Sequence, residues 1–100
     1  MAKIIWTDKA SGWMKRIFHY IADDKPFAAQ KLIDEVYQKA ESLREFPEMG
    51  YRLPSYRKKN IRTLLYGHYR ILYEIEQNGD INILSVLHGA LDLKKHFFPK

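Results

Sequence analysis

The sequence predicts an α+β fold of order β-α-α-β-β-β, a helical hairpin packed on one face of a mainly antiparallel sheet. Three observations carry this prediction. Apolar residues recur at helical spacing in two consecutive stripes before position 44, strand-like runs follow one another after position 60, and Asn78-Gly79 joins two of those runs. Side chains return to one face about every 3.6 residues in a helix and every two in a strand, so a change of period marks a change of element. The 100 residues are expected to form a single domain over 1–100, since domains typically hold roughly 100–150 residues.

Lys3–Trp6 (KIIW) reads as a short strand. Thr7 then stands where a helix needs an oxygen acceptor, and Asp8 where its first turn favours negative charge. Ala10, Trp13, Met14, Ile17 and Ile21 form one apolar stripe of that helix. Asp23-Asp24-Lys25-Pro26 interrupts it, and Pro26 suits the first turn of a second helix. Its stripe comprises Ala29, Leu32, Ile33, Val36, Ala40 and Leu43, with Pro47 and Gly50 as the stop signals. The two helices make an αα-hairpin.

Gly50 to Asn60 reads as irregular and basic, with Arg52, Arg57, Lys58 and Lys59 and no acid. Strands are expected at Ile61–Tyr66, Tyr69–Gln77 and Asp80–His88, turning at Gly67-His68 and Asn78-Gly79. A two-residue Asn78-Gly79 turn sets Ile71 opposite Val86 and Tyr73 opposite Leu84 on the helix side. Arg70, Leu72 and Glu74 then share an open face with Ile83, Ser85 and Leu87. Asp92–Phe98 forms a helical turn or an irregular segment, and the first strand must pair with a distant one to join the sheet. A two-residue turn at Gly67-His68 points Arg62 toward the helices, away from Arg70, whereas an odd-length turn brings the two together.

Composition narrows the function. No cysteine occurs, which excludes disulfides, thiolate nucleophiles and cysteine metal sites. No apolar run approaches the ~18 residues of a membrane span, and the N-terminus lacks a signal peptide's apolar core. A cytoplasmic protein with no membrane association is expected. Residues 1–50 carry eight Lys/Arg and eight Asp/Glu, whereas residues 51–100 carry nine against four. All of the net +5 charge therefore sits in the sheet half, which favours acidic partners, either nucleic acid or an acidic protein segment.

His19, His68, His88 and His96 are scattered, with no pair spaced for a metal on one helix face. No glycine-rich phosphate loop or G-x-S-x-G elbow exists, and none of Ser11, Ser42, Ser55 and Ser85 has an aligned base. Neither a metal nor a cofactor is expected. Metal-free cleavage of RNA needs cations for the phosphorane charge together with an acid and a base. Arg70 and His88 are the candidates for those roles.

The chain resembles ParE-type toxins of the RelE/ParE superfamily, from bacterial type II toxin–antitoxin systems. The resemblance rests on Ile4-Ile5-Trp6-Thr7-Asp8-Lys9-Ala10, Tyr20-Ile21-Ala22, Pro26-Phe27-Ala28-Ala29, Leu43 and Phe46-Pro47-Glu48-Met49-Gly50. It continues through Ile61-Arg62, Tyr69-Arg70-Ile71-Leu72-Tyr73-Glu74-Ile75 and the run from Ile83 to Leu93. It implies the same fold, a cognate ParD-like antitoxin and a role in plasmid stabilisation. Members similar to ParE block DNA gyrase, whereas RelE-like members cut mRNA in the ribosome.

Nuclease members place several basic residues in the strand before Tyr-Arg, where this chain has Arg62 alone. They also use a basic residue after the last strand, here Ala90-Leu91, and many need a C-terminal Tyr, here Phe97-Phe98. The resemblance therefore implies a gyrase inhibitor acting by protein contacts, with no enzymatic activity of its own. Nucleic acid is then met only indirectly, through gyrase or antitoxin complexes. The alternatives are a ribosome-dependent mRNA endonuclease using Arg70 and His88, and a non-toxic antitoxin-binding module of the same fold. Partner contacts are expected at Arg62, Arg70, His88, Leu91, Asp92, Lys94, Lys95 and Phe97.

Overall fold

The computed structural model describes residues 2–56 and 58–88. Their elements run β1 (Ile4–Trp6), α1 (Asp8–Ala22), α2 (Pro26–Glu41), a 3-10 turn (Ser42–Arg44), β2 (Tyr51–Arg52), β3 (Asn60–Tyr66), β4 (Tyr69–Ile75) and β5 (Ile81–His88). The five strands form one sheet in the order β1-β5-β4-β3-β2. Strand β1 runs parallel to β5 and the other neighbours are antiparallel. The predicted helical hairpin lies on one face, and the long-range pairing expected of the first strand is made to β5.

Local chemistry explains why α1 starts where it does. Thr7 Oγ1 accepts from the Ala10 amide at 3.2 Å and donates to the Ile83 carbonyl at 2.7 Å. One side chain thus satisfies an orphan helix donor and ties the helix start to β5. Pro26 opens α2 as predicted. Helix α2 ends at Glu41, however, well before Pro47, because the chain tightens into the 3-10 turn at Ser42–Arg44. Ser42 Oγ donates to the Lys39 carbonyl there, and Arg44 pairs with Glu41 and reaches the Ala2 carbonyl. The final turn of a helix often tightens in this way to use its orphan carbonyls.

Ala10, Met14, Val36, Ala40 and Leu43 pack on Leu64, Ile71, Tyr73, Ile81, Ile83 and Val86, and Trp13, Ile17, Leu32 and Ile33 pack around them. Both predicted stripes therefore face the sheet.

The β4–β5 register departs from the prediction in one half and keeps it in the other. Ile71 lies opposite Val86 as expected, but Tyr73 lies opposite Ile83 rather than Leu84. The hairpin loop is three residues long, not two. Glu76 donates to the Asp80 carbonyl, Gly79 donates to the Glu76 carbonyl, and Gly79 takes φ +93°. Asn78 Oδ1 accepts from the Asp80 amide at 2.9 Å and fastens the loop. The extra loop residue shifts the pairing by one, and a bulge between Leu72 and Tyr73 opposite Leu84 restores it. Ile81 and Ile83 therefore turn inward to the helices, and Ile83 does not share the face of Leu72 as predicted.

Two further expectations are corrected. The segment after Gly50 is not wholly irregular, since Tyr51 and Arg52 pair with Thr63 and Arg62 as a fifth strand. A two-residue strand is too short to show a period. The sheet face away from the helices is not open at its centre either. Ile61, Thr63, Leu72, Ser85 and Leu87 are all buried there. The run Ile71-Leu72-Tyr73 is apolar on both faces, as a doubly covered strand requires. No helix among the described residues is long and apolar enough to cross a membrane.

Candidate functional site

At the β3–β4 turn, Tyr66 lies opposite Tyr69, so Gly67-His68 is a two-residue loop. Gly67 has φ +56° and His68 keeps a negative φ, the pattern of a II′ turn with glycine first. That even-length turn decides the side of Arg62. It lies opposite Tyr73 and shares the helix-side face. Its Nη1 donates to the Gly50 carbonyl at 2.8 Å, its Nε donates to Asn60 Oδ1 at 3.0 Å, and it pairs with Glu48 at 3.4 Å. With its side chain only 15% exposed, Arg62 is committed to holding the 46–50 loop.

The same loop is held from the core by Tyr73. Its fully buried hydroxyl donates to the Pro47 carbonyl at 2.7 Å and accepts from the Gly50 amide at 2.9 Å. Burial pushes the Tyr73 phenol above its ordinary value of 10.0, against the lowering pull of the Gly50 N–H and Arg62. A raised folded-state pKa means the neutral phenol is the stabilised form. Its contribution is complete below pH ~10 and is lost as pH rises through the folded pKa. Urea midpoints are therefore expected to hold to about pH 9.5 and fall above it. Tyr73→Phe is expected to lower stability at pH 7 by about 1–2 kcal/mol and to flatten that alkaline fall. An unchanged alkaline slope in Tyr73→Phe would refute the assignment.

Arg70 lies opposite Leu65 on β3 and Leu87 on β5, on the face away from the helices. Its Nη1 donates to the Tyr51 hydroxyl at 3.2 Å. Tyr51 and Leu65 are 48% and 51% exposed. A half-buried cation, an exposed aromatic ring and an exposed aliphatic side chain thus lie together where β2, β3 and β4 meet. Tyr51 and Leu65 were absent from the sequence reading. The Tyr-Arg dipeptide of a two-residue edge strand carries no signal that would have placed it beside Arg70.

His88 lies opposite Tyr69 at the end of β5. Tyr69 packs toward the helix-side core, and its ring meets His88 edge-on at 5.4 Å. His68 stacks on His88 at 6.0 Å between ring centroids. Alternation along the strands puts Tyr69 and His88 on one face and Arg70 and Leu87 on the other. Arg70 and His88 are therefore not brought together, although their strands are adjacent. Burial raises the pKa of the Tyr69 phenol, so it stays protonated at neutral pH. No group of three or more His, Asp or Glu suited to a metal occurs among the described residues. His19 is solvent-exposed. The expected contacts at Leu91, Asp92, Lys94, Lys95 and Phe97 lie outside the described residues.

On the outer side of the hairpin, Ser11, Met14, Lys15 and Phe18 of α1 face Gln30, Ile33 and Tyr37 of α2 across a shallow groove. Tyr37 closes its β1 end, its ring tilted against that of Trp6 with the centroids 4.5 Å apart. At the helix tips, Tyr20 and Phe27 are 86% and 91% exposed.

Residues 4–93 match the family model described as ParE toxin of type II toxin-antitoxin system, parDE. The chain belongs to the ParE toxin family. It is a type II toxin–antitoxin toxin of the ParE/RelE superfamily. The chain is 31% identical over 90 residues to Toxin RelE2 of Caulobacter vibrioides, covering 90% of this chain and 98% of that protein. Two solved structures share the ParE-family fold at 23% identity. One is a chromosomal ParDE TA system from P. aeruginosa, with TM-score 0.71 over 88% of this chain and 96% of that one. The other is the toxin-antitoxin complex RelBE2 from Mycobacterium tuberculosis, with TM-score 0.58 over 87% and 96%.

Proposed function

We propose that this ParE-family toxin inhibits DNA gyrase through protein contacts, without chemistry of its own, and is neutralised by a cognate ParD-like antitoxin. The observation that carries the reading is the separation of Arg70 from His88 by the plane of the sheet. A lone arginine can stabilise phosphorane charge, but cleavage also needs a base and an acid within hydrogen-bond reach of the reacting atoms. Among the described residues, the imidazoles nearest to Arg70 in register, His88 and His68, sit on or beyond the opposite face. The working surface is the rim around Arg70, Tyr51 and Leu65. The antitoxin takes the groove between α1 and α2, where Phe18, Ile33 and Tyr37 supply the accessible apolar side chains.

The second reading is ribosome-dependent mRNA cleavage, and the name of the 31% identical relative, Toxin RelE2, speaks for it. The third is a non-toxic module that retains antitoxin binding. Purified toxin is assayed with gyrase for supercoiling and linear DNA, and in parallel by translation with primer extension on mRNA. Accumulating linear DNA with intact mRNA is the expected result. Codon-positioned mRNA cuts that Arg70→Ala abolishes would replace gyrase with the ribosome. Silence in both assays with tight antitoxin binding retained would leave the third reading.

A further inference from the structure

We propose that His68 and His88 bind one divalent transition-metal ion such as zinc between the β3–β4 turn and the end of β5, through their imidazoles and with its other positions open to water. The two residues lie far apart in the sequence, where nothing pairs them. The sheet brings them together. The two-residue turn places His68 directly before Tyr69, and Tyr69 lies opposite His88. Their rings stand 6.0 Å apart between centroids, with planes 23° apart. At metal–nitrogen distances of about 2.0–2.1 Å, two imidazoles on one ion have centres roughly 4.5–6.5 Å apart. The observed spacing falls within that range with no movement of either strand. Both side chains are exposed, which gives an ion a path in and lets each ring turn about its broad χ2 torsion.

The neighbours support the pair. Tyr69 is anchored against the helix-side core, and its ring meets His88 edge-on at 5.4 Å. That contact limits where the His88 ring can stand, so less freedom is lost when it takes up an ion. Imidazole suits zinc, nickel and copper, whereas magnesium and calcium take oxygen ligands. The Glu35 carboxylate at this end of the sheet already accepts from the Tyr66 hydroxyl. No group of three metal-suited residues occurs among the described residues. Two protein ligands therefore leave coordination positions for water or for a donor on a partner, as in open zinc sites. An ion here ties the turn to β5 on the helix side, away from Arg70. The inference is thus independent of what the toxin targets.

The test is isothermal titration calorimetry of the untagged full chain with zinc chloride, repeated with nickel chloride, alongside thermal unfolding in about 1 mM of each salt. One ion per chain is expected, with a rise in Tm on the order of 5 °C, because the unfolded chain does not hold the two imidazoles together. Magnesium chloride is expected to do neither. His68→Ala, His88→Ala and the double variant are each expected to lose more than about tenfold in affinity. Each single variant loses as much as the double, because a chelate fails when either ligand goes. His19→Ala and His96→Ala are expected to bind like the parent. Circular dichroism without metal verifies the fold of each variant. Three results would each overturn the proposal: no zinc binding by the parent, parent-like binding in His68→Ala or His88→Ala, or a loss in His19→Ala or His96→Ala as large as in His68→Ala.

Discussion

Gly50→Ala is expected to destabilise the toxin by about 3 kcal/mol, one of the two largest effects foreseen for a single substitution. A Cβ at Gly50 would lie 2.6 Å from the Thr63 carbonyl oxygen and 2.8 Å from the Tyr73 hydroxyl. The first of these is strand backbone, and neither neighbour can retreat. Thr63 is fixed between β2 and β4, and Tyr73 is fully buried and already bonded to Pro47 and Gly50. Relief must come by lifting the 46–50 loop, which also breaks the Arg62 contacts to the Gly50 and Glu48 carbonyls. Gly12→Ala is the internal comparison, since a Cβ there meets nothing within 4 Å. In the interior of α1 it is expected to stabilise by up to about 1 kcal/mol. Urea unfolding of both variants checks the pair, and a loss below about 1 kcal/mol for Gly50→Ala would contradict this packing.

Arg70→Glu is expected to abolish growth inhibition in cells, whereas His88→Ala is expected to leave it intact. Reversing a charge at the centre of a contact surface removes a favourable pairing and adds a repulsive one. Loss of a desolvated charge pair costs about 2–5 kcal/mol, or roughly thirty- to several-thousandfold in affinity. Arg70 is half-buried and braced by Tyr51, so little entropy is lost when it engages a partner. His88 is exposed on the other face, against Tyr69 and His68. Plating efficiency with the toxin induced, alongside antitoxin pull-down to verify folding, decides the matter. Toxicity lost equally in His88→Ala would return the two residues to a shared chemical role and sink the protein-contact reading.

Much of the fold was legible because its signals are local. The Thr7 cap, the two apolar stripes, Pro26 and the hairpin glycines each act within a few residues, and the element order follows from them. The β4–β5 register shows where that legibility stops. Asn78-Gly79 marks the hairpin correctly, but loop length depends on whether Glu76 and Asp80 pair, which the dipeptide does not reveal. The compensating bulge opposite Leu84 arises because Ile81 and Ile83 gain burial by facing the helices, a choice made by packing and not by the strand itself.

The candidate site was legible only in part. Arg70 stands out in the sequence as a lone cation among apolar strand residues. Tyr51 does not, because a two-residue edge strand exists only once β3 is there to pair with it. Arg62 has the same residue type and strand context as Arg70, and only the parity of the Gly67-His68 turn sends it to the opposite face. There the carbonyls of Glu48 and Gly50 absorb its donors.

By itself the sequence determined the family, the order of elements, the helix faces and the confinement of net charge to the sheet half. All of these are carried by residue type and spacing along the chain. The tertiary structure decided which side of the sheet each functional candidate occupies and which residues stand beside it. A strand's two faces differ by a single residue, so one turn length or one bulge reassigns every side chain beyond it, and only the assembled sheet counts those residues.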